Sequence, residues 1–209
     1  MNQAYNLKTD TLKKILIAAH NEFSSKGLDA ASVDSIAKQA GVSKQLIYHY
    51  YKTKEVLYKD ILISVCDDME LLIKKIDYEN LPAIDALKAI ISTYISQYVK
   101  NPYYSTLTVD QSLHKFAHIS EDNHLIKETK NFIKNIINPI LKRGEINGEL
   151  REGLDADIVY WLIYHICSGC FLNGEIMEMT TGIKFTESSG ICLWEDKATE
   201  FIIFALRKP

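Results

Sequence analysis

The stretch Ile36-Ala37-Lys38-Gln39-Ala40-Gly41-Val42-Ser43-Lys44-Gln45-Leu46-Ile47-Tyr48 decides the fold. Its first half places Ile36, Ala37 and Ala40 on one face of a short helix, joined by Val33 one turn earlier. Gly41 permits the positive φ of a tight turn. Ser43 supplies the side-chain oxygen that the first amides of the next helix lack. Leu46, Ile47 and Tyr50 then repeat at helical spacing. Two helices joined by so short a turn cross steeply. Ala37 is small enough for close approach, and Val42 and Ile47 fill the angle. The pattern is a helix-turn-helix.

Helical periodicity continues on both sides. Upstream, Leu12, Ile15, Leu16, Ala19 and Phe23 predict a helix over about Thr9–Lys26, stopped by Gly27. Ser32 reads as the N-cap of the second helix. Downstream, Thr53 reads as the cap of a long fourth helix reaching about Lys75. Further helices are expected over about Asn80–Asn101, with Pro82 in the first turn, and Pro102–His118. Another is expected over Asp122–Gly144, kinked at Pro139. The last two span Asp155–Met177 and Trp194–Leu206, with turns at Gly144–Gly153 and a polar loop at Thr180–Ser189. The expectation is an all-α protein with no internal repeat. Nine glycines and four prolines in 209 residues are too few for an all-β chain built on tight turns.

Charge narrows the role. The chain carries 24 Lys and Arg against 27 Asp and Glu, a net charge of -3. Residues 1–60 hold nine Lys, no Arg and six carboxylates, an excess of three positive charges; the remainder holds 15 basic and 21 acidic residues. Only the N-terminal part is drawn to a polyanion. Four cysteines are too sparse for a disulfide scaffold. The start of the chain lacks the apolar run of a secretory signal. The most apolar stretch, Ile158–Leu172, has fifteen residues without a charge, short of the roughly 20 that span a bilayer. A cytoplasmic protein with no membrane partner is expected.

The flanks of the helix-turn-helix carry a more specific signal. Ile15-Leu16, Ala18-Ala19, Phe23 and Gly27 precede it, and Tyr48-His49-Tyr50-Tyr51-Lys52-Thr53-Lys54-Glu55 with Leu57 follow it. Residues 12–58 together resemble the N-terminal domain of the TetR (tetracycline-repressor-like) family of bacterial transcriptional regulators. Gln45 and Leu46 stand where that family often has a small residue, and Tyr51 where it often has Phe. The resemblance implies an N-terminal three-helix DNA-binding domain (residues 1–53). A long fourth helix joins it to a C-terminal helical effector-binding and dimerisation domain (residues 54–209).

The residue chemistry agrees. The third helix suits the major groove, its N-terminal residues toward base edges. Lys44 can donate to guanine O6 and N7, and Gln45 can pair bidentately with adenine. Tyr48 offers a ring edge to a thymine methyl and a hydroxyl to phosphate, and Leu46 a methyl contact or a core face. Ser32, Ser43, His49, Tyr50 and Lys54 complete the DNA-contact set, mostly through phosphates that set register. Lys54 sits at a helix N-terminus, where an ammonium opposes the macrodipole unless a phosphate joins it.

One such unit makes few contacts. A homodimer doubles them and reads a palindromic operator with half-sites roughly 34–36 Å apart. Ile158-Val159-Tyr160-Trp161-Leu162-Ile163-Tyr164-His165-Ile166-Cys167 has hardly a polar face, so it must be covered on all sides. Ser168, Gly169 and Cys170 are small enough for another helix to approach. Phe201, Ile202, Phe204 and Ala205 offer a companion surface. In the family the last two helices form a four-helix dimer interface, which the resemblance implies here. It also implies an effector pocket in the tyrosine-rich C-terminal part, for which Tyr98, Tyr104, Gln111, Phe132, Trp161 and His165 are candidates.

Cys167 and Cys170 share a helix face, but one helix supplies too few ligands for a closed metal site. No Gly-rich phosphate loop, nucleophile elbow or His-Glu metal motif is present. No metal, cofactor or catalytic residue is expected. The sequence reads as a ligand-responsive, homodimeric DNA-binding repressor released from its operator by a small molecule. The alternative is a helical small-molecule-binding or interaction protein without DNA binding.

Overall fold

The computed structural model describes residues 2–73, 75–115 and 124–209. Helices α1 (Asn2–Ala30), α2 (Val33–Ala40), α3 (Lys44–Tyr50) and α4 (Lys54–Ile73) come first. Then follow α5 (Ala83–Lys100), α6 (Tyr103–Leu113), α7 (His124–Phe132), a π-helical turn (Ile133–Ile137), α8 (Asn138–Ile146), α9 (Ala156–Thr181) and α10 (Ser188–Leu206). The expected helix end at His118 and the expected start at Asp122 lie outside the described residues.

The chain forms two compact units. The first comprises Met1–Asp67 with Thr106–Glu121, the second Asp68–Ser105 with Asp122–Pro209. Two of the three boundaries fall inside helices, α4 and α6, and the third lies outside the described residues. The sequence expectation put the division at residue 53 and gave the first unit nothing from beyond it. The packing of Thr106 onward depends on long-range contacts that helical periodicity does not report.

In the first unit the expected apolar stripes are buried. Ile15, Ala19 and Phe23 of α1 are buried, as are Val33, Ile36, Ala37 and Ala40 of α2, Ile47 of α3, and Leu57, Tyr58 and Ile61 of α4. Phe23 and Tyr58 touch edge-to-face at 5.0 Å, an arrangement favoured by the ring quadrupoles. The helix-turn-helix closes as expected. Gly41 adopts φ 68°, the Val42 amide donates to the Ala37 carbonyl at 3.0 Å, and Ser43 Oγ accepts from the Leu46 amide at 3.2 Å. The α1 span breaks where expected: Gly27 (φ 71°, ψ -179°) is non-helical and separates the stretch that ends at Lys26 from a short one reaching Ala30.

The second unit packs α5, the π turn, α8, α9 and α10 around Leu87, Ile90, Ile91, Ile137, Ile140, Leu141, Ile163 and Cys167. Its α5 amides at Ala83 and Ile84 are capped by the Glu149 carboxylate at 3.2 Å, a partner distant in sequence. Arg143 holds the preceding loop through the carbonyls of Tyr78, Glu79 and Leu81. The break expected at Pro139 takes the form of the π turn just before it, which accommodates the ring and its missing amide donor. The expected polar loop at Thr180–Ser189 shrinks. Thr180 and Thr181 hydroxyls bond back to the Ile176 and Met177 carbonyls, so α9 continues to Thr181. Helix α10 starts six residues earlier than expected, at Ser188 rather than Trp194.

Glu22 is 2% exposed and gathers several donors of the first unit. It accepts from Lys26 Nζ (2.7 Å), the Ser32 amide (3.1 Å), Ser35 Oγ (2.7 Å) and Gln39 Nε2 (3.2 Å). Burial opposes its charge, but these donors and the Lys26 charge outweigh burial and leave its pKa below the ordinary 4.5. The stability this group contributes is therefore complete above pH 4.5 and lost as pH falls through the lowered value. Glu22→Gln should cost about 1–3 kcal/mol at pH 7. It should also flatten the fall in the urea-unfolding midpoint between pH 5 and 3. An unchanged pH profile would show that Glu22 does not carry this linkage.

Candidate nucleic-acid interface and effector region

Helix α3 buries Ile47 and half-buries Leu46 and Tyr50. The opposite face, Lys44, Gln45, Tyr48 and His49, is exposed, with Tyr48 at 41%. A large aromatic left on the surface beside an amide and an ammonium suits base edges and thymine methyls. The His49 and Tyr50 rings pack edge-to-face at 5.6 Å. Ser43 is occupied by capping α3. Ser32 takes the N-cap position of α2 without a side-chain cap bond, and its amide is held by Glu22.

Two lysines of the contact set have protein partners. Lys44 Nζ pairs with Asp34 Oδ2 at 2.6 Å, with side chains 44% and 70% exposed. That hydrogen bond raises the ammonium's pKa. Lys54 Nζ donates to the carbonyls of Asp29 and Ala31, both at 3.1 Å. The sequence sets Lys54 against the α4 macrodipole with only a phosphate to offset it. The structure offsets it with the carbonyls that end α1. Asp34 and Glu22 were not among the sequence-derived site residues. Asp34 lies ten residues before Lys44, and no single-helix spacing links them.

The effector candidates separate. Tyr98 and Tyr104 are buried in the second unit, 5.9 Å apart edge-to-face. Tyr98 stacks on Phe171 at 5.0 Å, and its hydroxyl lies 3.5 Å from that of Tyr164. Tyr94 and Tyr160 hydroxyls lie 3.4 Å apart, and half-buried Phe132 meets Tyr160 edge-to-face at 6.0 Å. Trp161 and His165 are instead exposed on α9. Gln111 belongs to the first unit, where its Nε2 donates to the Tyr58 hydroxyl at 2.8 Å. A helical pattern gives the side of a residue but not the unit its helix serves. An open groove of about 430 Å³ is lined by Lys130, Ile133, Lys134, Asn138, Leu154, Asp155, Ala156 and Asp157, none of them an expected effector residue.

Helix α9 splits its apolar surface in two. Val159, Tyr160, Ile163, Cys167 and Cys170 are buried, while Ile158, Trp161, Leu162 and His165 form an exposed stripe. Phe201, Phe204 and Ala205 of α10 are exposed as well, whereas Ile202 enters the core. Trp194 of α10 donates to the Ile166 carbonyl of α9 at 3.0 Å and lies against Gly169. Burial pushes the thiols of Cys167 and Cys170 up to about 12, so both stay protonated at neutral pH.

An exposed recognition helix on a helix-turn-helix unit, followed by a helical unit with an aromatic interior, defines a one-chain regulator of DNA. Residues 15–61 match the family described as bacterial regulatory proteins, tetR family, and residues 84–202 match the tetracyclin repressor-like C-terminal domain. The chain belongs to the tetR family of bacterial regulatory proteins, and it is a ligand-responsive, DNA-binding transcriptional regulator. It is 31% identical over 158 residues to the fatty acid metabolism regulator protein of Bacillus subtilis, covering 72% of this chain and 76% of that one. It is 20% identical over 198 residues to the HTH-type transcriptional repressor NicS of Pseudomonas putida, covering 95% and 93%. The structure of the transcriptional regulator FadR from Bacillus subtilis in complex with stearoyl-CoA shares the fold. Its TM-score is 0.69 at 22% identity, over 92% of this chain and 97% of that one. These relatives are regulators rather than enzymes. Among the described residues no helix is long and apolar enough to cross a membrane.

The Asp34 carboxylate occupies an ammonium that duplex phosphates also attract. Asp34→Asn should raise affinity for a non-operator duplex about threefold. It should steepen the log–log salt slope by up to about 0.9, the release expected for one more phosphate contact. Anisotropy titrations from 50 to 200 mM salt read both; an unchanged slope would mean that Lys44 gains no phosphate when Asp34 is neutralised.

Proposed function

We propose that the chain is a cytoplasmic homodimeric repressor that binds a palindromic operator through two copies of α3 and is released by a small-molecule effector. The observation that carries this is the exposed face Lys44–Gln45–Tyr48–His49 on a helix whose other side is locked into the core. Lys44 and Gln45 read base edges, Tyr48 packs on a thymine methyl, and His49, Tyr50 and Ser32 set register on phosphates. Lys54 has two of its three N–H groups on protein carbonyls, leaving one for the backbone of the duplex. Ser43 and Leu46 serve chiefly to build and seat the helix.

The exposed stripe of α9 and the exposed Phe201 and Phe204 of α10 support pairing of two copies. Phe204 is 84% exposed, and an apolar patch of this kind marks an interface. The effector region is the aromatic interior of the second unit, around Tyr98, Tyr104 and Phe132. Its hydroxyl pairs at 3.4–3.5 Å are long enough to exchange for a ligand's polar group. Trp161, His165 and Gln111 are better explained by the exposed stripe and by the first unit than by ligand contact. No metal or cofactor enters this reading, and it assigns no catalysis. An effector acts only by binding the DNA-incompetent arrangement more tightly than the competent one.

Lys44→Ala with Tyr48→Ala should leave the unfolding temperature within a few degrees of the parent and reduce affinity for a selected operator at least a hundredfold, read by gel shift. Retained operator binding would remove α3 from the interface. Phe204→Glu should yield monomers by sedimentation equilibrium at micromolar concentration, with operator affinity falling in step; a persistent dimer would place the interface elsewhere.

A further inference from the structure

The first unit takes one element from far along the chain, and its contacts centre on one carboxylate. Asp110 is 8% exposed and lies on the part of α6 that belongs to this unit. Its Oδ1 accepts from the Leu28 amide at 3.1 Å. Its Oδ2 accepts from the Tyr58 hydroxyl, which in turn accepts from Gln111 Nε2 at 2.8 Å. Asp110 also fills the space that a side chain at Gly27 would need, since a Cβ there would collide with Oδ1. Gly27 holds φ 71°, which swings the Leu28 amide out of the helical ladder. A buried amide in that position must find an acceptor, and Asp110 is that acceptor.

The segment so held is the joint between α1 and α2. Lys54 pins it from α4 through the carbonyls of Asp29 and Ala31, and Glu22 pins it from α1 through the Ser32 amide. Helix α2 starts one residue later, and α3 is packed on α2. The direction of α1–α2 therefore sets where the recognition helix points.

We propose that Asp110 is a positioning residue for DNA binding, fixing the α1–α2 joint through the Leu28 amide and the Tyr58 hydroxyl. This rests on the DNA-binding reading of α3. Asp110 touches no DNA; it determines whether two recognition helices meet the groove in register. A misaimed α3 still attracts phosphates, so the loss falls on sequence-specific affinity.

The network also predicts which substitution is tolerated. Among the described residues Gln111 Oε1 is buried without a hydrogen-bond partner. In Asp110→Asn, the Asn oxygen keeps the Leu28 amide and its NH₂ group donates to the Tyr58 oxygen. The Tyr58 proton then turns to Gln111 Oε1 once that amide flips. Asp110→Ala offers no such exchange. Leu107→Ala is the control: it removes buried apolar volume from the same helix while leaving the Asp110 carboxylate and its hydrogen bonds in place.

The test compares the four proteins at a temperature where all are folded by circular dichroism. Affinity is measured for a selected operator and for a scrambled duplex of equal length, and Leu28 amide exchange by NMR. Asp110→Ala should lose at least tenfold in operator affinity with scrambled-duplex affinity within twofold, and its Leu28 amide should exchange at least tenfold faster. Asp110→Asn should stay within threefold on all three readings, and Leu107→Ala should keep the operator-to-scrambled ratio. Operator affinity within twofold of the parent in Asp110→Ala overturns the proposal. So does an equal loss of the operator-to-scrambled ratio in Leu107→Ala, which would make the effect one of general stability. A parent protein that binds no duplex removes the DNA-binding reading itself, and the role of Asp110 falls with it.

Discussion

Backbone polar groups cannot be buried unpaired, and the end of α1 concentrates that constraint. The left-handed Gly27 interrupts the helical ladder, so Leu28, Asp29, Ala31 and Ser32 must be satisfied from elsewhere. Three partners do this: Asp110, Lys54 and Glu22. Each is buried or half-buried, and each belongs to a different helix. The seating of α2, and through it of α3, follows from this joint. Apolar packing of Phe23, Ile36, Ile47 and Tyr58 supplies the bulk of the burial. It is non-directional, whereas the hydrogen bonds at the joint specify an orientation.

Electrostatics are used sparingly. The chain is net acidic, and the positive excess of its first 60 residues is small. Three of those lysines already have protein partners, Lys26 on Glu22, Lys44 on Asp34 and Lys54 on two carbonyls. Affinity for duplex therefore cannot rest on net charge. In the proposed reading it rests on a short exposed face presented twice, with geometry doing the discrimination. The thiols of Cys167 and Cys170 are buried and held protonated, so they pack as small apolar residues.

The helix-turn-helix could be read from the sequence because its determinants are local. Gly41, Ser43 and the stripe of Val33, Ile36, Ala37, Ala40 and Ile47 act within a few residues of one another, and all behave as read. The two apolar sides of α9 were likewise legible in a run with hardly a polar residue. What could not be read depends on distance in the chain. Asp110 looks like a surface carboxylate on a short helix, and nothing in its neighbours announces Leu28, 82 residues earlier. Glu149 capping α5 is hidden for the same reason. Helix ends were misjudged where threonines bond back to their own helix, since the same residues favour loops when the chain turns away. Aromatic and amide composition does not report placement: Gln111 lies in the other unit, and Trp161 and His165 face outward.

Two of the three breaks between units fall within helices, α4 and α6, so the division does not follow the ends of the elements. This bears on how such regulators can be recombined. A chimaera that transplants only the first 53 residues onto another C-terminal half would leave behind the acceptor for Leu28 and the hydroxyl of Tyr58. Its operator preference would depend on whatever residue the new host happened to bring to that spot. Modular exchange in this architecture must carry a discontinuous block, the N-terminal helices together with the distal half of α6, for the donor's specificity to travel intact.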